Sequence, residues 1–334
     1  MEKVLKNRNS IYGILIIWIM LFHIYRKVGV PFDYLPIKGL LSLGNIGVDA
    51  FLFLSGYCLC LSLNKDSKVF TFYKKRASRL ILPYIVITIP FFIWRSIVEK
   101  PSDSFINFKN LIIDITGYSY WAHGVTTTWF FFCIAALYII TPPLHYVMSK
   151  SKAVSFLLIF VVYVLVLLLA NIGYTYTSKS VTSWARIPIF IMGIYFALYK
   201  NNLRFNQASL SISLCYLSIV LLIYPINSYL TYVPVRFLSF MLIAIPLVLV
   251  LGRFNGLYQG TFGKLLSFTG SLSFELYLVH VTLIHVINYY IPIQTFGWKL
   301  YILIPIISIL YSLIIQKIVN WIKNLISPFN LKTQ

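Results

Sequence analysis

Long apolar runs, separated by short polar stretches, recur from one end of the chain to the other. Each run is about 20 residues long, which is the length that an α-helix needs to cross a bilayer. The pattern predicts an all-α polytopic membrane protein, because the ten-residue alternation of a transmembrane strand does not occur. We predict about ten transmembrane helices in one bundle, with residues 1–334 forming a single membrane domain. The predicted spans are 11–27, 44–63, 80–97, 127–147, 154–173, 184–199, 208–226, 234–251, 269–290 and 299–321.

The composition agrees with a membrane protein. Hydrophobic residues make up 59% of the chain and charged residues only 11%, whereas soluble domains carry roughly 25% charged residues. The net charge of +20 is explained by basic loops that follow the positive-inside rule and contact anionic lipid. No basic domain stands outside the spans, so we expect the lipid bilayer, and no nucleic acid, as a partner.

The distribution of lysine and arginine predicts the orientation of the chain. With ten helices, both termini lie on the same side of the membrane. Most of the lysine and arginine residues fall in the termini and loops of that side. Because basic loops stay in the cytoplasm, we expect a multi-pass protein of the cell membrane with both termini cytoplasmic.

A histidine and an aspartate lie inside the first two spans. His23 ends the run IYGILIIWIMLFH, and Asp49 lies in the run GVDAFLFLSGY. At 1.5 Å per residue the two side chains reach similar depths, and ionisable groups in hydrocarbon face a protein interior or a wet cavity. A carboxylate that holds one imidazole nitrogen leaves the other nitrogen free as a base. The alternative is a neutral histidine that only links two helices.

Two arginines mark the entrance to the third span. Arg76 and Arg79 lie three residues apart, hence on one helix face, and LILPY follows at once. Guanidinium groups match the geometry of phosphate oxygens, which predicts a phosphate-binding mouth. The alternative is contact with lipid headgroups, which juxtamembrane bases commonly make.

Three further residues are candidates for substrate contact. Glu275 and His280 lie in the ninth span, where an intramembrane acid is a functional candidate and packing is the alternative for His280. Trp129 opens the fourth span, where an interfacial aromatic residue is the simplest interpretation. The four cysteines lie in apolar spans without a C-x-x-C motif, so we expect neither a disulfide nor a metal site.

These residues resemble the motifs of the acyltransferase-3 family, whose membrane enzymes O-acylate envelope glycans and other acceptors. The resemblance rests on LFH at His23, on GVDAFLFLSGY, and on the R-x-x-R of Arg76 and Arg79 followed by LILPY. TWFF at Trp129 and SFELYLVH ending at His280 are similar to later motifs of the family. The match covers nearly the whole chain.

The resemblance implies that acyl-CoA, expected to be acetyl-CoA, enters from the cytoplasm as the donor substrate. It also implies that Arg76 and Arg79 hold the phosphates of the donor and that His23 is the catalytic base. The family has an arginine or lysine eleven positions before this histidine. This chain has Tyr12 there, and Arg8 lies one helical turn earlier.

Residues and resemblance together predict an O-acetyltransferase-like enzyme that moves an acyl group from acyl-CoA to a hydroxyl of an envelope or extracellular saccharide. His23 is expected to be the general base, with Asp49 orienting it. Glu275, His280 and Trp129 are expected to bind substrate. Two alternatives stay open. One is a transporter or flippase of polysaccharide intermediates that uses the same cavity, and the other is a non-catalytic membrane receptor or scaffold.

Overall fold

The structure, a computed structural model, describes residues 1–29, 35–99, 104–118, 120, 128–176, 181–199 and 233–330. Across these ranges the chain is 92% helical and contains no strand. This confirms the predicted all-α fold. Helices suit such an apolar chain because each satisfies its backbone N–H and C=O groups within its own segment, without water.

The described ranges contain ten principal helices, which are numbered in chain order. They are α1 (Arg8–Val28), α2 (Ile46–Lys65), α3 (Val69–Trp94), α4 (Trp129–Met148), α5 (Lys152–Tyr176), α6 (Ile187–Leu198), α7 (Val233–Leu251), α8 (Gly260–Ser271), α9 (Ser273–Tyr290) and α10 (Leu300–Asn330). The shorter α-helices are Glu2–Lys6, Leu35–Ser42, Ser104–Thr116 and Val181–Trp184. Turns of 3₁₀ helix lie at Leu43–Asn45, Asn255–Tyr258 and Ile293–Lys299, and a π-helical turn lies at Arg95–Glu99.

Six segments of the described chain are long and apolar enough to cross a membrane, or seven if the bent pair α8 and α9 counts as one span. The six are Arg8–Val28, Ile37–Lys65, Val69–Glu99, Trp129–Met148, Lys152–Leu169 and Ile293–Leu325. A polytopic helical membrane protein is therefore confirmed, whereas the number of ten spans is not. The predicted span 184–199 is represented by α6, which has only 12 residues, and the predicted span 208–226 lies outside the described residues.

The predicted span 269–290 is divided in the structure. α8 ends at Ser271, α9 begins at Ser273, and the two helices are bent by 73° at the break. α8 turns aside because its small residues pack against α1. A Cβ atom at Gly270 would meet the carbonyl oxygen of Asn9, and one at Gly13 would meet that of Leu266.

α2 is the central helix of the bundle. Its candidate span Ile37–Lys65 is 78% buried, against 11% for Lys152–Leu169, whose apolar side chains are left to face lipid. Glycine allows α2 and α6 to touch, because a Cβ atom at Gly56 would meet the carbonyl oxygen of Phe190. Close backbone approach at small residues is a common way for membrane helices to associate.

Contacts between helix termini define two ends of the bundle. We call the end that carries Arg8, Arg76 and Arg79 the basic end. Side-chain bonds Asn7–Asn255, His145–Asn64 and Tyr199–Met148 join helices there. Trp94–Tyr290 and Tyr301–Gly29 join helices at the opposite end. α1, α3 and α9 therefore all run from the basic end to the opposite end.

Candidate functional site

Two imidazoles meet between α1 and α9. Nε2 of His280 lies 3.3 Å from Nδ1 of His23, and the rings meet edge to face with centroids 5.0 Å apart. His280 is fully buried, and His23 is half-buried. Two candidate residues from opposite ends of the sequence thus form one pair, a contact that the sequence did not predict.

Each imidazole is also held by a carbonyl group one turn earlier on its own helix. Nδ1 of His23 lies 2.9 Å from the carbonyl oxygen of Ile19, and Nδ1 of His280 lies 2.7 Å from that of Leu276. A carbonyl oxygen can only accept a hydrogen bond, so each Nδ1 carries a proton. In its neutral form, His23 therefore keeps a lone pair on Nε2, and this is the atom that a general base would use.

The predicted hydrogen bond between Asp49 and His23 is not present among the described residues, and Asp49 contacts an arginine instead. Its Oδ1 atom lies 3.5 Å from Nε of Arg186, with both side chains buried. Arg186 also donates from Nη2 to Oδ1 of Asn45 at 2.7 Å and lies over the ring of Trp129 at 5.2 Å. Asn45 precedes α2 and Arg186 precedes α6, so the close packing of these two helices accounts for the pairing.

A cavity of about 310 Å³ lies at the basic end. Three guanidinium groups line it, those of Arg8, Arg76 and Arg79, and its described lining contains no carboxylate. The rest of the wall is mostly aromatic and aliphatic. A cleft with cations only and low-dielectric walls concentrates its positive field and attracts anions.

The lining explains how the chain accommodates Tyr12 where the resemblance expects a base. The Tyr12 ring stacks on Phe51, with centroids 4.8 Å apart and planes within 5°. Arg8 reaches the same cavity from one turn earlier, and its Nη1 atom lies 4.0 Å from Sγ of Cys58, another lining residue. The positive charge expected at position 12 is thus present in the cavity, carried by Arg8.

The cavity ends next to the histidine pair. Its lining includes Ile19, whose carbonyl group holds His23, and Tyr277, whose ring centroid lies 5.9 Å from that of His280. Tyr277 is packed in turn on Phe130, with centroids 4.7 Å apart. Neither histidine lines the cavity itself. One layer of side chains therefore separates the arginine cavity from the two imidazoles.

The remaining predicted site residues lie around this cavity and the buried ion pair. Glu275 is half-buried on α9, between lining residues, and the cations that act on its carboxylate are Arg79 and Lys323. Glu275 therefore belongs with the basic end rather than with His280. Trp129 lies against the guanidinium of Arg186.

Arg186 is the site residue that sequence reasoning missed. Its side chain has 0% exposure and contacts Asp49, Asn45 and Trp129. The signal was present, because an arginine inside the predicted span 184–199 requires a partner in the protein interior. Nothing in the spacing of the sequence, however, identifies Asp49 as that partner.

A family model described as an acyltransferase domain, acyltransferase 3, matches residues 11–317 of the 334-residue chain. No curated protein and no solved structure matches the chain. The matched range includes both histidines, the Asp49–Arg186 pair and two of the three arginines of the cavity.

Proposed function

The chain belongs to the acyltransferase-3 family, and from this premise we propose that it transfers an acetyl group from acetyl-CoA to a hydroxyl group of an envelope or extracellular saccharide. One observation carries the proposal. A cavity with three arginines ends at Ile19 and Tyr277, each of which contacts one member of the histidine pair. The arrangement offers a phosphate-binding entrance on one side of a base.

The charge of the cavity supports an acyl-CoA donor. Arg76 and Arg79 come from one face of α3, and Arg8 comes from α1, so cations approach the cavity from two helices. Several guanidinium groups without a carboxylate suit a ligand with several phosphate oxygens. The volume, about 310 Å³, is at the lower limit of ligand pockets. We therefore assign the cavity to the thioester arm, with the phosphates at the arginines.

The reaction assigns one proton transfer to His23. The acceptor hydroxyl gives its proton to Nε2 of His23 while its oxygen attacks the thioester carbonyl carbon. The new C–O bond forms, the C–S bond breaks, and the thiolate of CoA leaves. The imidazolium then returns the proton to sulfur, so the products are an acetyl ester and CoA–SH. For this to happen, the side chains of Ile19 and Tyr277 must move aside when the donor is bound.

Asp49 has an indirect part in this proposal. Arg186 is one of the cations whose charge acts on the imidazole of His23, and the carboxylate of Asp49 offsets that charge. Trp129 holds the other face of the same guanidinium. We assign Glu275 to the donor side, where its carboxylate interacts electrostatically with Arg79. We expect the acceptor to approach His23 from the opposite end of the bundle.

The proposed orientation follows from the charge of the basic end. Basic loops stay in the cytoplasm, so the arginine cavity would open towards the cytoplasmic pool of acetyl-CoA. Cysteine residues introduced at the exposed positions Lys6 and Lys299 test this, because Lys6 lies at the basic end and Lys299 lies between α9 and α10 at the opposite end. A membrane-impermeant thiol reagent should label position 299, and not position 6, in intact cells.

The activity is tested by analysing envelope glycans of cells with the gene, without it and with His23→Ala. We expect an acetyl ester on the glycans only in cells that carry the unchanged protein. The rate of ester formation should drop about 100-fold or more in cells with His23→Ala, since a general base contributes about 10²- to 10⁴-fold. A flippase of polysaccharide intermediates would move glycan without consuming acetyl-CoA. Unchanged ester content in the absence of the gene would contradict the proposal.

Donor binding is tested separately through Cys58, which lines the cavity beside Arg8. In a variant without the other cysteines, acetyl-CoA, whose sulfur is acylated and does not consume the reagent, should slow the alkylation of Cys58, whereas S-acetylpantetheine, which lacks the phosphates of the nucleotide, should not. Arg79→Gln should weaken this protection about tenfold or more, since a hydrogen bond to a charged group contributes about 1.5–3 kcal/mol.

Lys75→Gln is the matched control for this experiment, because Lys75 is exposed on the same helix and does not line the cavity. Vesicles of zwitterionic and of anionic lipid separate the two sources of phosphate. Protection by anionic lipid alone, with none by acetyl-CoA, would mean that the arginines bind headgroups and would refute donor binding.

A further inference from the structure

We infer that His280 positions His23 by accepting a hydrogen bond from its Nδ1–H group, so that Nε2 of His23 faces the reacting hydroxyl. The inference rests on the proposed function, in which His23 is the base. It gives His280 a role through His23 rather than through the substrate. In a triad the corresponding partner of the imidazole is a carboxylate.

The direction of the hydrogen bond follows from the two carbonyl contacts. Nδ1 of His280 donates to the carbonyl oxygen of Leu276 at 2.7 Å, so Nε2 of the neutral ring carries a lone pair. That lone pair is 3.3 Å from Nδ1 of His23. The proton on Nδ1 of His23 is therefore shared between the carbonyl oxygen of Ile19, at 2.9 Å, and His280. The slightly long distance to His280 fits such a three-centre bond.

The second acceptor restricts rotation of the His23 ring. The terminal torsion of a histidine side chain is broad and roughly two-fold, so a half-turn can exchange the nitrogen and carbon edges of the ring. Ile19 belongs to the same helix as His23, and His280 belongs to α9, so the ring is held from two sides. His280 is itself fixed, because it is fully buried and contacts the ring of Tyr277.

The same contact stabilises the protonated state that His23 passes through. When Nε2 takes the acceptor proton, the positive charge spreads over the ring and Nδ1–H becomes a stronger donor. The lone pair of His280 accepts from it. No second proton is bound, since two charged imidazoles with centroids 5.0 Å apart would repel each other in a low-dielectric interior. The proton received from the acceptor leaves again with the thiolate of CoA.

Among the described residues, neither Asp49 nor Glu275 accepts the hydrogen bond from Nδ1 of His23. Asp49 contacts Arg186 rather than His23. Glu275 lies five residues before His280 on α9, hence on a different helix face, and is acted on by the cations of the basic end. The acceptor for Nδ1–H of His23 on another helix is therefore an imidazole.

Two amide substitutions separate the roles of the two nitrogens of His280. Glutamine places its amide near the position of Nε2 and keeps an acceptor that faces His23. Asparagine reaches only the position of Nδ1, so it keeps the bond to Leu276 and loses the acceptor. We expect His280→Asn to lower kcat about 10- to 100-fold, the loss seen when the partner that orients a metal-bound imidazole is removed. The KM for acetyl-CoA should stay unchanged because His280 does not line the cavity.

His280→Gln should recover kcat to within a few-fold of the unchanged protein. His145→Asn is the control for the substitution itself, because His145 bonds to Asn64 at the basic end, away from the pair. A kcat for His280→Asn equal to that of the control would overturn the inference, and so would equal losses in the asparagine and glutamine variants. A raised KM with unchanged kcat would show substrate contact and would also overturn it.

These outcomes are distinct from a failure of the proposed function. If the unchanged protein transfers no acetyl group, or if His23→Ala retains full activity, the proposed function is wrong whatever the His280 variants do. If His23→Ala is inactive while His280→Asn is fully active, only the positioning role is wrong. Size-exclusion chromatography of each variant confirms that the compared proteins are folded.

Discussion

Removing one member of the buried pair Arg186–Asp49 is expected to destabilise the bundle much more than removing both. The two charges are 3.5 Å apart with 0% and 1% exposure. At an effective dielectric constant of about 20, Coulomb's law gives an attraction of about 5 kcal/mol at this distance. Taking each ion out of water costs several kcal/mol, so the net contribution of the intact pair is small. A single member left without its partner costs about 3–5 kcal/mol.

The variants are Arg186→Met, Asp49→Leu and the two combined, with the exposed Arg26→Met as the control for the arginine substitution. Thermal unfolding in one detergent gives the free-energy change of each. We expect both single variants of the pair to unfold well below the unchanged protein, and the double variant to unfold closer to the unchanged protein than either single variant does. Additive losses, with a coupling energy near zero, would refute the argument that the two charges stabilise each other.

Two further predictions concern helix contacts on either side of the site. Gly56→Leu should lower stability by about 1–3 kcal/mol, because its side chain meets backbone of α6, whereas Gly39→Leu, with nothing within 4 Å, should change the melting temperature little. Glu99→Gln should cost about 0.2–1 kcal/mol, since Oε2 of Glu99 contacts both His285 at 3.0 Å and Arg95 at 3.4 Å in a partly exposed position. This change should leave protection of Cys58 by acetyl-CoA unchanged, and loss of that protection would contradict the separation of the two ends.

Apolar run length predicted where several of the long helices begin, because a helix needs about 20 apolar residues to cross a bilayer, whereas the number of spans is not confirmed. The starts of α1, α2 and α4 lie within about three residues of the expected spans, inside the usual uncertainty of boundaries. The break at Leu272 was not predicted. Gly270, Ser271 and Ser273 surround it, but no proline marks it, and small residues also occur inside unbroken membrane helices. The tertiary contact of α8 with α1 decides where the chain bends, and the sequence alone does not identify that contact.

Candidate residues were easier to predict than their partners. An ionisable side chain in an apolar run is conspicuous, so His23, Asp49 and His280 were all selected. A short connection between α1 and α2 suggested that Asp49 would hold His23. Helix packing decided otherwise, because the side chain of Asp49 meets Arg186, which precedes α6, and His23 meets α9.

The glycine contact between α1 and α8 fixes the register of the two imidazoles. Gly13 and Gly270 bring the backbones of these helices together, and each histidine follows ten residues after its glycine. A slip of one residue along a helix moves a side chain by about 1.5 Å and rotates it by about 100°. Either displacement would remove a hydrogen bond of 3.3 Å. The spacing between the rings therefore depends on a backbone contact ten residues before each histidine and on the bend at Leu272 that joins α8 to α9.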